Sequence, residues 1–191
     1  FYRALLHASV TGPLPFRLQS KVKFKSGKLD TSSNGKIEAC YRGWSRKGNC
    51  EITGRWSWSA VLRLLTRVLA VDGELLFRIH RGPQYGPHGF QVQVLDVDRL
   101  DDLLNKALPD GGAIHMGVEL DAQSRPVAYH ILKRKPSQWQ SGQYPREHER
   151  VLAADIVHYF VPEYAEQVRG VPWMYAAMVN LVHIGAFAEA A

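Results

Sequence analysis

Cysteine is scarce in this chain, and familiar catalytic motifs are missing. Cys40 and Cys50 are the only cysteines among 191 residues, too few for a disulfide scaffold, so we expect two ordinary thiols in a reducing, cytoplasmic setting. The nucleophile-elbow pattern Gly-x-Ser-x-Gly, the phosphate-binding P-loop and the dinucleotide fingerprint do not occur. The sequence therefore predicts a protein that is not an enzyme and that binds no cofactor.

Long apolar runs are absent as well. No stretch of about eighteen apolar residues and no basic-then-apolar leader is present, so we expect a soluble chain without an export signal. The chain starts at Phe1 instead of Met and stops at Ala191 inside a helical pattern, so we expect a piece of a longer protein. Its length is sufficient for one domain with its own core.

Metal ligands do not occur at useful spacings. His115 and His130 are predicted on one outward face of adjacent strands, where a shared metal ion is conceivable, but a zinc site needs three or four ligands. An acidic cluster lacks the glycine and the oxygen ligand that a calcium loop requires, and helix capping explains it better. The cluster comprises Asp96, Asp98, Asp101 and Asp102. We therefore predict no metal site.

One histidine stands inside an apolar strand. His158 lies within Ile156–Phe160, and a buried neutral imidazole that donates one hydrogen bond is the favoured interpretation. A pH-sensitive contact between neighbouring subunits is the alternative.

The formal net charge is +6, which favours nucleic-acid or other acidic partners. The Lys and Arg residues concentrate in two runs, Lys21, Lys23, Lys25 and Lys28, and Lys133, Arg134 and Lys135. Neither run is interleaved with aromatic residues in a known binding module. A solvated or partner-facing surface is therefore favoured, and direct DNA contact is the alternative.

The hydrophobic periodicity predicts helices over residues 37–44, 58–71 and 172–191. Alternating residues predict a hairpin of strands 74–81 and 90–94, then strands 114–120, 127–131 and 156–160. Residues 136–149 are polar and are predicted to form a surface loop. This order predicts an α+β fold, a mostly antiparallel sheet with helices packed on one face.

Six segments of the chain occur in the order and spacing of one known family. They are Arg55–Ser59, Val71–Glu74, Gly89–Val94, Gly117–Ile131, Ala154–Phe160 and Gln167–Trp173. Together they resemble the lambda-type portal proteins of tailed phages, the ring at one vertex of the phage head through which DNA passes. The resemblance covers residues 52–191, and residues 1–50 follow it more loosely.

The resemblance implies a single portal wing-like domain over residues 1–191, with residues 52–191 as its core. It implies a structural head-tail connector subunit of a phage or prophage, whose full-length parent forms a ring of about twelve copies. The implied partners are the terminase motor, scaffold, the major capsid and head-tail completion proteins, and DNA in the channel, with no membrane. The implied location is the virion, after assembly in the host cytoplasm.

Individual residues acquire roles through the same resemblance. Arg169 is placed near the ring body, where a contact with a neighbouring subunit and a role in the fold are both open. Exposed aromatics such as Trp139 and Tyr144 would serve neighbours or scaffold. Gly170, Pro172 and Trp173 are expected to shape and anchor the start of the last helix in the core. A basic nucleic-acid-binding module without enzymatic activity is the alternative function.

Overall fold

The computed structural model describes residues 18–133, 147–175, 177, 178, 180 and 183. Two α-helices are found in this part of the chain, α1 at Thr31–Trp44 and α2 at Trp58–Asp72. Eight strands follow in order. They are β1 at Glu74–Arg81, β2 at Phe90–Leu95, β3 at Lys106–Ala107, β4 at Ala113–His115, β5 at Val118–Leu120, β6 at Pro126–Leu132, β7 at His148–Leu152 and β8 at Ile156–Phe160.

Helix α1 begins six residues earlier than the sequence predicts. The side chain of Asp30 accepts hydrogen bonds from the Ser33 amide at 3.0 Å and from the Ser33 hydroxyl at 2.6 Å, so it caps the helix N-terminus. The predicted start at Ile37 was wrong, because the polar Thr31–Gly35 stretch was interpreted as a turn although its first residues follow an N-cap.

Helix α2 confirms its prediction. Its apolar stripe buries Val61 completely and leaves Leu65 only 6% exposed. The helix ends at Asp72, and Gly73 takes the left-handed conformation with φ at +84°. The chain can therefore turn directly into β1.

The strands form two sheets, where the sequence predicted one. The first sheet has the order β2-β1-β8, and β1 pairs antiparallel with β8 so that Glu74 stands opposite Phe160 and Arg78 opposite Ile156. The second has the order β3-β4-β5-β6-β7, with each neighbouring pair antiparallel. The α+β class with mostly antiparallel strands is confirmed.

One strand prediction and one loop prediction were wrong. The predicted strand over 114–120 is a hairpin of β4 and β5, with a tight reversal at Met116 and Gly117, whose φ angles are +46° and +82°. The apolar alternation runs through this reversal without interruption, so the pattern could not reveal it. His148 and Glu149, predicted as part of a loop, belong to β7.

The chain divides into two compact units. The first comprises Phe1–Thr66 and Ile79–Val94, and the second comprises Arg67–Arg78 and Leu95–Ala191. In the first unit, the Trp44 ring lies 5.0 Å from the Trp58 ring and 5.6 Å from the Phe90 ring, and its Nε1 donates to the Phe90 carbonyl at 2.9 Å. The second unit has its own core of buried residues, which are Leu76, Leu95, Leu100, Val118, Leu120, Tyr129, Ile131, Val151 and Ile156.

Candidate functional site

The side chain of Glu74 is the centre of a buried polar cluster in the second unit. Glu74 is the first residue of β1, and the turn at Gly73 directs it into the interior, where its side chain is only 3% exposed. Its Oε2 lies 2.9 Å from His158 Nε2 and accepts a hydrogen bond from the Gly170 amide at 2.7 Å. Its Oε1 accepts from Arg169 Nε at 2.8 Å and lies 2.6 Å from Arg169 Nη2. We call Glu74, His158, Arg169 and Gly170 the Glu74 cluster.

The guanidinium of Arg169 also reaches beyond Glu74. Its Nη1 donates to the Met116 carbonyl at 2.9 Å and to the Leu100 carbonyl at 3.5 Å. The Arg169 carbonyl in turn accepts from Gln167 Nε2 at 2.8 Å. Because a guanidinium has five N–H donors in a rigid fork, one side chain joins β1, the β4–β5 reversal and the segment after β8.

The environment of Glu74 keeps it ionised. Burial alone would raise the pKa of its carboxyl, but the hydrogen bonds from His158 and Arg169, the charge of Arg169 and the Gly170 amide outweigh burial and lower the pKa to about 2. An ionised carboxylate that accepts several hydrogen bonds is a strong acceptor and a poor general acid. The arrangement therefore holds backbone segments together and does not prepare Glu74 for proton transfer.

The backbone at Gly170 lies directly against the backbone at Gly73. A Cβ added to Gly170 would stand 2.6 Å from the Glu74 Cβ and would overlap the Gly73 carbonyl oxygen. A Cβ added to Gly73 would overlap the Val171 carbonyl group. The expectation that Gly170 permits a tight approach is thus confirmed. The approach brings the Gly170 amide within reach of Glu74.

A second carboxylate with a strongly lowered pKa lies on the five-stranded sheet. Glu119 on β5 accepts from Arg150 Nε at 2.8 Å and Nη2 at 2.6 Å, and its Oε2 lies 2.9 Å from His130 Nε2. The Arg150 hydrogen bonds lower the pKa of Glu119 to about 2, with a further contribution from His130 and against the effect of burial. The imidazole of His130 is therefore paired with the Glu119 carboxylate.

Among the described residues no group of three or more His, Cys, Asp or Glu side chains is arranged to hold a metal ion.

A groove of about 610 Å³ borders the Glu74 cluster within the second unit. His158 and Gln167 line it on the cluster side, and the apolar part of its lining comes from Met116 and Phe160 together with the almost fully buried Val118 and Leu120. Tyr164 and Glu166, which are both exposed, also line it. We call this feature the groove.

The predicted site residues have different positions in the structure. The side chain of Arg169 is only 13% exposed in a single copy, because it pairs with Glu74. Lys21, Lys23 and Lys25 are exposed in the first unit, and Lys133 is exposed and contacts Glu147 at 3.2 Å. Four predicted residues, Trp139, Tyr144, Arg134 and Lys135, lie outside the described residues.

One anchoring prediction was wrong, and one central residue was missed. Trp173 is 43% exposed, so it does not anchor the helix start in the core. Glu74 was not predicted as a site residue. Two signals could have identified the pair of Glu74 and His158: a carboxylate directly after the helix-ending Asp72-Gly73, and a histidine inside an apolar strand. His158 is buried with one strong partner, as predicted, and that partner is a carboxylate.

Comparison with known proteins identifies the family of this chain. The model of the family described as phage portal protein, lambda family, matches residues 4–191. The chain belongs to the lambda family of phage portal proteins. This portal chain is also 34% identical over 192 residues to a "Probable portal protein" of Halomonas phage phiHAP-1. The alignment covers the whole of this chain and 36% of that relative, so the portal chain spans about a third of its relative's length.

The family assignment confirms the resemblance seen in the sequence. Glu74, His158, Arg169 and Gly170 come from three of the six segments that carried it, and the structure gathers them around one carboxylate. No helix in the described part of this portal chain is long and apolar enough to cross a membrane.

Proposed function

We propose that this chain is the wing-like part of a head-tail connector subunit, and that its full-length parent forms the ring at one vertex of a phage or prophage head. The observation that carries the proposal is the match to the lambda portal family over residues 4–191. In this role the ring has about twelve copies, and DNA passes through its channel during packaging and ejection. The subunit is a structural part of the virion and is assembled in the host cytoplasm.

The Glu74 cluster supports a structural and non-enzymatic role for the chain. Glu74 and Glu119, whose pKa values are strongly lowered, are held by arginine and histidine partners inside one unit. Such pairs fix the relative positions of strands and keep these two carboxylates from exchanging protons near neutral pH. A rigid unit of this kind suits a part that transmits contacts within a ring.

The partners follow from the same proposal. The subunit meets its own copies, the terminase motor, scaffold, the major capsid protein and the head-tail completion proteins. Trp139 and Tyr144 serve neighbours or scaffold in this proposal, and residues 1–191 act as one wing-like domain. For Arg169 we propose that it holds the loop around Gly170 in the shape that a neighbouring subunit meets.

Light scattering combined with negative-stain imaging of the full-length parent tests this function. Closed rings of about twelve subunits with a central hole are expected. A homogeneous monomer that binds duplex DNA tightly, with a steep dependence on salt, would contradict the proposal and favour a basic nucleic-acid-binding module.

A further inference from the structure

The two units carry opposite charge. The first unit has thirteen Lys and Arg against three Asp and Glu, a net charge of +10. The second unit has eleven Lys and Arg against fifteen Asp and Glu, a net charge of −4. An excess of each sign on separate parts of one chain favours head-to-tail contact between copies, because opposite charges then meet across the interface.

Four of the lysines of the first unit lie in one short exposed turn, Lys21–Leu29, which we call the basic arm. Its four lysines are exposed, and so are its apolar residues, Val22 at 42%, Phe24 at 54% and Leu29 at 48%. The arm is closed by a hydrogen bond from the Phe24 amide to the Lys28 carbonyl at 2.8 Å and by a bridge between Lys23 and Leu29. It therefore presents lysines and apolar side chains together.

The base of the basic arm is fixed to helix α1. The buried side chain of Asn34 accepts a hydrogen bond from the Val22 amide at 2.8 Å and donates to the Val22 carbonyl at 3.0 Å. The shape of the arm is thus set before any partner binds, which reduces the entropy lost on docking. Exposed apolar groups on an ordered surface segment are a feature of interaction sites.

The groove in the second unit has the complementary chemistry. Its apolar floor includes Met116, which is 37% exposed, beside Phe160 and the buried Val118 and Leu120, and Glu166 also lines the groove. Glu163, three residues earlier, is also exposed. Apolar side chains with basic neighbours, such as those of the basic arm, match an apolar floor beside carboxylates.

We propose that the basic arm of one copy docks in the groove of a second copy, with Val22 and Phe24 on the apolar floor and the lysines facing Glu163 and Glu166. The docking rests on the ring assembly proposed above, because repeated head-to-tail contacts between different faces close into a ring. A second copy is a better occupant for the arm than DNA. Phosphate contacts would use the lysines but would leave Val22 and Phe24 in water.

Cysteine cross-linking in the full-length parent tests the contact directly. Ser26→Cys in the basic arm and Ala165→Cys in the groove are combined in a Cys40→Ser background, which removes the exposed thiol of this chain. Mild oxidation of assembled rings is expected to give covalently linked copies on a non-reducing gel, whereas either cysteine alone gives none. A disulfide within one chain, seen as a faster-migrating band of single-chain mass, overturns the proposal because the arm would then occupy its own groove, and the absence of any disulfide overturns it as well.

Charge reversal gives a second and independent test. The K21E/K23E/K25E variant is expected to lower the yield of rings at least about tenfold, and adding E163K/E166K to it is expected to restore most of the yield. The matched control K36E/K47E/R63E reverses three exposed charges outside the arm and is expected to change the yield by less than about twofold. Phe24→Ser, which alters no charge, is expected to weaken assembly as well. A cooperative thermal unfolding transition is measured for each variant to establish that it is folded.

The outcomes separate this inference from the proposed function. If the wild-type parent forms no rings, the proposed function fails. If the wild type forms rings while the arm variants assemble normally and the cysteine pair does not cross-link, only the docking fails. If K21E/K23E/K25E weakens binding to duplex DNA and leaves ring yield unchanged, the arm is a DNA contact and the docking is wrong.

Discussion

The side chains of Arg169 and Glu74 meet in the interior of the second unit although 95 residues separate them, with Nε of the arginine 2.8 Å from Oε1 of the carboxylate. Their side chains are 13% and 3% exposed. Two opposite charges buried together are stable only while both are present, since either one alone would be an uncompensated charge away from water.

Glu74→Ala is expected to lower the free energy of unfolding by about 3–5 kcal/mol, because it leaves the Arg169 guanidinium buried without its carboxylate. Urea denaturation of the 191-residue chain at neutral pH measures this loss. The matched control is Glu147→Ala, which removes the Lys133 ion pair whose two side chains are 57% and 64% exposed. That control is expected to lower the free energy by less than about 1 kcal/mol. Equal losses for the two variants would contradict the role given to Glu74.

Gly170→Ala is expected to destabilise the fold by more than about 2 kcal/mol, because its Cβ would stand 2.6 Å from the Glu74 Cβ and against the Gly73 carbonyl group. The comparison is Gly35→Ala in helix α1, where an added Cβ meets no atom within 4 Å. That variant is expected to stabilise the protein by up to about 1 kcal/mol. Melting temperatures of the two variants, measured beside the wild type, should move in opposite directions.

Acid is expected to weaken the second unit through Glu74. The pKa of Glu74 is about 2 in the folded protein against an ordinary value of 4.5, so the folded state favours the ionised form. Its contribution, on the order of 3 kcal/mol, is fully present above about pH 5 and is lost as the pH falls from there towards 2. Urea midpoints measured from pH 7 to pH 2.5 follow the loss.

In Glu74→Gln the decline of stability below pH 5 is expected to be shallower than in the wild type, because a carboxylate with a pKa of about 2 is gone. Glu119→Gln removes a second such carboxylate, and the double variant is expected to show a flatter profile than either single variant. A Glu74→Gln profile parallel to that of the wild type would show that the carboxylate contributes nothing to acid sensitivity.

The two cysteines are expected to react at very different rates. Cys40 is exposed on helix α1, whereas Cys50 is completely buried and burial raises the pKa of its thiol. Ellman's reagent is expected to detect one thiol in the folded chain and two in denaturant. Cys40→Ser should remove the rapid reaction. Two rapidly reacting thiols in the native protein would contradict the burial of Cys50.

The sequence predicted those elements whose pattern is local. Helix α2 was confirmed because its apolar stripe marks its extent and Gly73 ends it. Strand β1 was confirmed because it begins directly after that glycine. The β4–β5 reversal was missed, since Met116 has a left-handed backbone conformation that is uncommon for methionine. Helix α1 was predicted too short because its first turn is polar and depends on the Asp30 cap.

The candidate site was predictable only in part. The segment around Gly170 and the strand around His158 stood out as motifs, but their common partner did not. Glu74 pairs with residues 84 to 96 positions away, and no periodicity relates positions that far apart. Glutamate is also rarely buried, so its residue type alone would predict that Glu74 is exposed.

The span of the Glu74 cluster has a consequence for the order in which the chain folds. Glu74 leaves the ribosome long before His158, Arg169 and Gly170, which supply the donors to its carboxylate. During synthesis the nascent chain therefore carries Glu74 without its hydrogen-bond donors, and burial of the start of β1 is unfavourable until they arrive. The full set of donors to Glu74 is available only after residue 170 has emerged, so we expect the buried Glu74 cluster to form late in synthesis.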